Sequence, residues 1–200
     1  MDRHRYYIIN AITLYRLMSA PLLVFLALDH SPGPFKWLLA VSFFTDAIDG
    51  HLSRRYNVTS IFGSKLDSIA DDLTIAAAIV GLLSFKPGFI RQELVLIGML
   101  LGLFIVQNGL ALIKYRRMTS FHTYMAKTAA IAQGIFLLFL FFLPEPAYEL
   151  FYIAAVLTIL DLIEEIILVF ILPRWQANVK GLYWVIGNLN KKKRERSTGL

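Results

Sequence analysis

No cysteine occurs among the 200 residues, which excludes disulfides, thiolate metal sites and a cysteine nucleophile. Charge is scarce as well: Asp, Glu, Lys and Arg make up 17% of the chain, against 57% for hydrophobic residues. Ordinary soluble domains carry about 25% charged residues, so this composition, with a mean hydropathy of +0.60, points to the bilayer as solvent. There is no internal repeat, no low-complexity segment beyond a basic tail, and no nucleic-acid motif. The net charge of +6 and pI near 9.6 are tied to helix ends, a pattern that suits anionic lipid headgroups better than nucleic acid.

Six stretches approach the ~20 apolar residues that a spanning helix needs. They are Tyr7–Leu28, Phe35–Leu52, Gly63–Phe85, Leu94–Tyr115, His122–Leu143 and Tyr148–Leu172. Ser31-Pro32-Gly33-Pro34, Lys86-Pro87-Gly88 and Leu143-Pro144-Glu145-Pro146 read as tight links between antiparallel neighbours. With the N-terminus inside, the outer loops hold only Lys36, Lys86 and Arg91, and the other seventeen basic residues fall at the inner side. Both termini are then expected in the cytoplasm. The fold expected is an all-α membrane protein of six transmembrane helices, residues 1–172, followed by a C-terminal amphipathic interfacial helix and basic cytoplasmic tail, residues 173–200.

The start of the chain, Met1-Asp2-Arg3-His4-Arg5 and an apolar run, resembles a signal peptide. That run is too long, lacks a small-residue cleavage site and carries Asn10, Thr13 and Arg16, so it is expected as a retained first helix. Near the other end, Trp175, Val179, Leu182, Ile186 and Leu189 recur at spacings of four and three. On a helix they form one apolar stripe, suited to lying in the interface plane with Lys180 and the Lys191–Arg196 run toward headgroups.

Chemistry concentrates in Thr45-Asp46-Ala47-Ile48-Asp49-Gly50-His51-Leu52-Ser53-Arg54 and Gly63-Ser64-Lys65-Leu66-Asp67-Ser68-Ile69-Ala70-Asp71. A charged Asp at mid-bilayer costs about 2.5–3.5 kcal/mol on insertion scales, so four of them require a wet cavity, a partner or a cation. Asp46 and Asp49 are three apart and Asp67 and Asp71 four apart, which puts each pair on one helical face; packing of the second helix against the third would bring the pairs together. All-oxygen ligation selects hard cations such as Mg²⁺ or Mn²⁺, and two ions about 3.5–4 Å apart would grip a pyrophosphate. Gly50 and Gly63 permit close backbone approach, and Arg54 stands about one turn beyond Asp49, where a guanidinium can bind phosphate. A divalent-ion transporter would use the same acids but gives no role to Arg54 or the glycines.

Together these residues resemble the signature of the CDP-alcohol phosphotransferase family, D-x-x-D-G-x-x-A-R, eight residues, G-x-x-x-D-x-x-x-D. Asp46, Asp49, Gly50, Arg54, Gly63, Asp67 and Asp71 match with every spacing kept, and Ser53 stands where the family usually has Ala. Asn10, Thr13 and Arg16 are similar to the family's first-helix residues. The resemblance implies a six-helix homodimeric enzyme of the cytoplasmic membrane that transfers a phosphoalcohol group from a CDP-alcohol lipid to a small polar acceptor and releases CMP. It also implies that Asp46, Asp49, Asp67 and Asp71 bind two metal ions, that Asp71 is the general base, and that Asn10, Thr13, Gly50, Ser53, Arg54 and Gly63 lie beside the nucleotide.

The motif region is most similar to phosphatidylglycerophosphate synthases and related bacterial cardiolipin synthases, which implies a bacterial inner membrane. Departures are Ser68 for the usual Pro, Asp72 for the usual Lys, and Tyr124-Met125-Ala126-Lys127-Thr128 where Gly-Lys-x-Lys-Thr is usual. Arg116 and Arg117 end the fourth stretch and Lys127 lies in the fifth, so a phosphate-bearing acceptor, glycerol 3-phosphate, is expected against them. Lys127 could instead pair with Asp161 or Glu164, and inositol phosphate, inositol, serine or phosphatidylglycerol are the alternative acceptors. Asp161, Glu164 and Glu165 share a face of the sixth stretch, either bonded to Arg16 or another helix or lining an acceptor pocket. Gln107 and Asn108 read as interhelical hydrogen-bond partners, and His122 as an interfacial, solvated residue.

Overall fold

Long apolar stretches without strand-type alternation satisfy their backbone groups locally, and they fold here as helices. The computed structural model describes residues 3–56, 61–119 and 121–188, and every regular element among them is helical. Side chains are described from residue 14 onward, apart from 46–47, 49–56, 61–65, 67–68 and 71–72 within those elements. In order the helices are α1 (Arg3–Leu28), α2 (Pro32–Tyr56), α3 (Ile61–Phe85), α4 (Pro87–Gln92), α5 (Leu94–Tyr115), α6 (Tyr124–Phe142) and α7 (Tyr148–Ile171). A further run, α8, covers 182–188.

The six apolar stretches correspond to α1, α2, α3, α5, α6 and α7. Among the described residues, α5 and α6 alone are long and apolar enough to cross a membrane by length and composition. Shorter apolar stretches, Leu14–Leu28 and Leu73–Phe85, occupy α1 and α3. What separates the helices is charge: α3 carries Lys65, Asp67, Asp71 and Asp72 in its first half, and α7 carries Asp161, Glu164 and Glu165.

Three local expectations are corrected. Lys86-Pro87-Gly88 is not a bare link: Pro87 opens α4, its fixed φ and missing N–H suiting a first helical turn. Likewise α2 begins at Pro32, before the expected Phe35. The fifth stretch does not start at His122, whose φ of 52° is left-handed; α6 begins at Tyr124, where the Thr123 hydroxyl accepts the N–H of Ala126 at 3.0 Å as an N-cap. The amphipathic stripe from Trp175 is the third. Residues 173–181 are non-helical, with left-handed backbone at Asn178 and a φ of 147° at Gly181, and helix resumes only at 182. Trp175 and Val179 thus leave the stripe: the indole N–H donates to the Met118 carbonyl at 3.0 Å, and Val179 is buried beside Ala111, Phe121 and Leu168. Leu189 and the Lys191–Arg196 run lie outside the described residues.

The chain divides into two compact units. The first comprises residues 1–92 and 137–146, and the second 93–136 and 147–200. Within the first unit α1 is the organising helix, packing along α3 and α2, while α2 and α3 meet less extensively among the described residues. Small side chains make this closeness possible: Ser19, Ala20 and Ala27 of α1, Ser42 of α2, and Ala70, Ala77 and Ala78 of α3 are all buried. Phe35 plugs one end of this seam, edge-on to Phe85 and Phe141 at centroid distances of 5.1 and 5.0 Å. Pro21 removes one N–H from α1, and four turns of packing around Leu23 and Ala27 hold the helix through it. Beyond the apolar end of α3, Lys86 donates to the carbonyls of Leu143 and Pro144 at 3.0 and 2.8 Å, and partial burial holds its ammonium below the usual lysine range.

In the second unit α5 packs against α7. Lys114 reaches the α7 carbonyls of Val169 and Phe170 at 2.8 and 3.2 Å, and the Tyr115 hydroxyl sits 3.0 and 2.8 Å from those of Val169 and Leu172. Both side chains therefore satisfy the open C-terminal carbonyls of α7, and the ammonium also complements that end of its dipole.

Gly81 is where the first unit is tightest. A Cβ built there would overlap Cζ of Phe35, a ring held on its other sides by buried neighbours. Gly81→Val should lower stability by about 1–3 kcal/mol, seen as a fall in thermal midpoint in detergent, with part of the loss recovered in Gly81→Val/Phe35→Leu. An unchanged midpoint would contradict the packing.

Candidate functional site

The candidate site grows out of the α1–α2–α3 seam by simple continuation of helical register. In α2, Phe35, Leu39 and Ser42 are buried at steps of four and three, and the same stepping reaches positions 46 and 49. Ala78 and Thr74 are buried on α3, and continuing toward its N-terminus by three and four reaches 71 and 67. On α1 the buried Ala27, Leu23, Ala20 and Arg16 lead on to 13, with 10 one turn earlier. Positions 46 and 49 of α2, 67 and 71 of α3, and 13 and 10 of α1 thus continue the helical register of the buried residues on their own helices.

Along the seam the chemistry changes by steps. Phe35, Leu39, Leu23 and Ala27 form its apolar end. One to two turns on stand hydroxyls: Ser19 and Ser42 face each other across α1 and α2 at 3.1 Å, each also donating to its own helix, Ser19 to the Arg16 carbonyl and Ser42 to that of Leu38. Thr45 and Thr74 bond back to carbonyls of their own helices in the same way. At this level Arg16 is only 1% exposed, a cation set between the apolar plug and the four acid positions. The positions of Asp46, Asp49, Asp67, Asp71, Asn10, Thr13, Gly50, Ser53, Arg54 and Gly63 belong to helical backbone of α1, α2 and α3. Their side chains lie outside the described residues. The all-carboxylate donor set, doubled on two helices, fits hard divalent cations.

Arg116, Arg117 and Lys127 belong to the second unit and are exposed. Arg116 caps α5 in left-handed conformation, donating its N–H to the Leu112 carbonyl at 2.9 Å. The Arg117 guanidinium lies 5.6 Å from the Trp175 ring centroid, and the Lys127 ammonium 5.5 Å from that of Tyr124. Lys127 is therefore in the first turn of α6 rather than deep in a helix.

The α7 acids are accounted for within the second unit. The Gln107 amide, 1% exposed, donates to Thr119 and to Glu165, both at 2.6 Å, and the Thr119 hydroxyl lies 3.1 Å from the same Glu165 oxygen. Gln107 is the interhelical partner expected of it, whereas Asn108 bonds to the Phe104 carbonyl of its own helix. Glu164 accepts the N–H of Leu182 at 2.8 Å through Oε1, and Asp161 is hydrogen-bonded to Thr123. Asp161 Oδ1 and Glu164 Oε2 are buried with no partner among the described residues. No group of three or more His, Cys, Asp or Glu among the described residues is placed to hold a metal ion. The contact between Glu164 and the start of α8 was missed from sequence; Gly181, where a Cβ would come 3.1 Å from Glu164 Oε1, is its one sequence trace.

Comparison with known proteins covers most of this architecture. The family model described as CDP-alcohol phosphatidyltransferase matches residues 6–169. The chain is 35% identical over 103 residues to the CDP-diacylglycerol-inositol 3-phosphatidyltransferase of Saccharomyces cerevisiae, covering 52% of this chain and 44% of that protein. It is 34% identical over 79 residues to the CDP-diacylglycerol-glycerol-3-phosphate 3-phosphatidyltransferase of Rickettsia bellii, covering 37% and 42%, and 37% identical over 76 residues to the enzyme of the same name in Pseudomonas fluorescens, covering 36% and 38%. The chain thus spans less than half the length of these curated relatives. No solved structure matches it. With the family match running from the first turns of α1 to the end of α7, the chain belongs to the CDP-alcohol phosphatidyltransferase family.

Proposed function

We propose that the chain is an integral membrane transferase that moves a phosphatidyl group from CDP-diacylglycerol to glycerol 3-phosphate and releases CMP. What supports this reading is a family model that covers residues 6–169, together with four aspartates whose spacing continues the helical register of the buried Phe35, Leu39 and Ser42 on α2 and of Ala78 and Thr74 on α3. Residues 1–172 act as a six-span membrane domain, and 173–200 as a surface segment and basic tail, with both termini cytoplasmic and the enzyme a homodimer. Seventeen of the twenty basic residues on the inner side support that orientation.

Asp46, Asp49, Asp67 and Asp71 would hold two Mg²⁺ or Mn²⁺ ions, which would supply positive charge beside the pyrophosphate. Gly50, Ser53 and Gly63 leave room for the nucleotide, with Asn10 and Thr13 bonding to it across the seam. Arg54 grips phosphate through its guanidinium. Asp71 takes the proton from the acceptor hydroxyl as that oxygen attacks the lipid-side phosphorus; the P–O bond to CMP breaks, and no covalent enzyme intermediate forms. Arg116, Arg117 and Lys127, exposed at the end of the second unit where α5 stops and α6 begins, bind the phosphate of the acceptor. The names of the Rickettsia and Pseudomonas relatives, which specify glycerol 3-phosphate, favour that acceptor over the inositol named for the yeast relative.

Four substitutions test these roles. Asp46→Asn or Asp67→Asn should abolish turnover and weaken Mg²⁺-dependent nucleotide binding by at least ~10-fold, measured by titration with CDP; normal activity in either removes the metal reading. Asp71→Asn should lower kcat by about 10²–10⁴-fold while CDP-lipid still binds, and a near-native rate assigns the proton to another group. Lys127→Met should raise the KM for glycerol 3-phosphate with little change in that for CDP-diacylglycerol. If it only lowers thermal stability, Lys127 serves packing against Tyr124 instead.

A further inference from the structure

The end of the second unit where α5 stops, α6 begins and α7 ends carries two exposed cations, Arg174 and Lys180, that the transfer reaction leaves unexplained. Six basic residues, Lys114, Arg116, Arg117, Lys127, Arg174 and Lys180, lie within residues 114–130 and 172–188, and those two segments contain no Asp or Glu. Apolar side chains stand exposed among them. Tyr183 is 81% exposed, and Trp184, Ile186, Met118 and Tyr124 are exposed too. Trp and Tyr beside Lys and Arg, at the end of apolar helices, is the composition of a membrane interface.

Residues 173–188 are fastened in place rather than left as a tail. The Trp175 indole donates to the Met118 carbonyl, with Arg117 over its ring. Lys180 accepts the N–H of Tyr124 through its carbonyl at 3.2 Å, and Tyr124 stacks against Trp184 at 5.3 Å between centroids. The Glu164 carboxylate holds the N–H of Leu182, and Val179 is buried under the segment. These contacts fix where the segment sits, immediately beyond Leu172, at the level where the apolar run of α7 finishes.

We propose that residues 174–188 form a docking surface for the anionic headgroups of the adjoining leaflet, with Arg174 and Lys180 meeting lipid phosphates while Tyr183, Trp184 and Ile186 enter the headgroup layer. Charge complementarity selects this occupant. A neutral leaflet offers Arg174 and Lys180 no counter-charge, whereas an anionic one stabilises each by about fivefold in partitioning. Glu164 turns its charge inward to the Leu182 N–H, so it does not offset them. The proposal rests on the membrane reading of α5 to α7 but not on the acceptor or the metals.

The absence of native cysteine allows a clean probe. Gly187, which shares the Tyr183 face of α8 and has open space for a Cβ, is replaced by Cys and carries an environment-sensitive fluorophore. The full chain is placed in nanodiscs of phosphatidylcholine alone or with about 30 mol % phosphatidylglycerol. Incorporation, read by size-exclusion chromatography, tests the membrane reading separately. Expected is a blue-shifted label shielded from aqueous iodide and quenched by headgroup-level spin-labelled lipid, with shielding several-fold greater in the anionic discs and lost at high salt. Arg174→Ala/Lys180→Ala should bring shielding in the anionic discs to within about twofold of that in the neutral discs, while CMP-forming activity in detergent persists. A label equally open to iodide in both discs overturns the proposal. So does disulfide crosslinking between two copies through unlabelled Gly187→Cys at a yield independent of lipid charge, which would assign the surface to a second copy.

Discussion

The transfer reaction proposed for this chain depends on how closely α1, α2 and α3 can approach. Backbones come together only where side chains are small, and the seam supplies Ser19, Ala20 and Ala27, then Ser42, then Ala70, Ala77, Ala78 and Gly81. Phe35 over Gly81 closes one end. From there the seam positions turn polar in order, through Ser19, Ser42 and Thr74 to the four aspartate positions. A site built on helices in this way needs no loop to hold it, and the register that buries Phe35 also sets where Asp46 and Asp49 stand.

The second unit solves a different problem, that of placing carboxylates and helix ends in a largely apolar setting. Glu165 is met by the Gln107 amide and the Thr119 hydroxyl, and Glu164 by a backbone N–H. Lys114 and Tyr115 take the terminal carbonyls of α7. A basic residue at a helix end is therefore not only a topological marker: Lys114 works as a cap, and Arg117 packs on Trp175.

Most of the helical architecture was legible because apolar length and turn residues are strong local signals. The acid motif was legible too, since its spacing over α2 and α3 is long and specific. Less legible was what backbone dihedrals decide: Pro87 reads as a breaker but opens α4, and the stripe from Trp175 to Ile186 keeps helical spacing although Asn178 and Gly181 interrupt the helix. Tertiary partners were the hardest. Nothing local in Glu164 announces a bond to the N–H of Leu182, 18 residues away, and the primacy of α1 over direct α2–α3 packing follows from small residues on α1 rather than from the acids.

The central claim is that the seam aspartates support metal-dependent transfer from a CDP-activated lipid. Its most direct test is CMP release by the purified full chain from CDP-diacylglycerol and glycerol 3-phosphate, with Mg²⁺ or Mn²⁺ and then with excess chelator. The account predicts one CMP for each lipid product, lost on chelation and restored by the divalent ion. CMP release indifferent to chelation, or none with any phosphorylated or neutral acceptor, would contradict it.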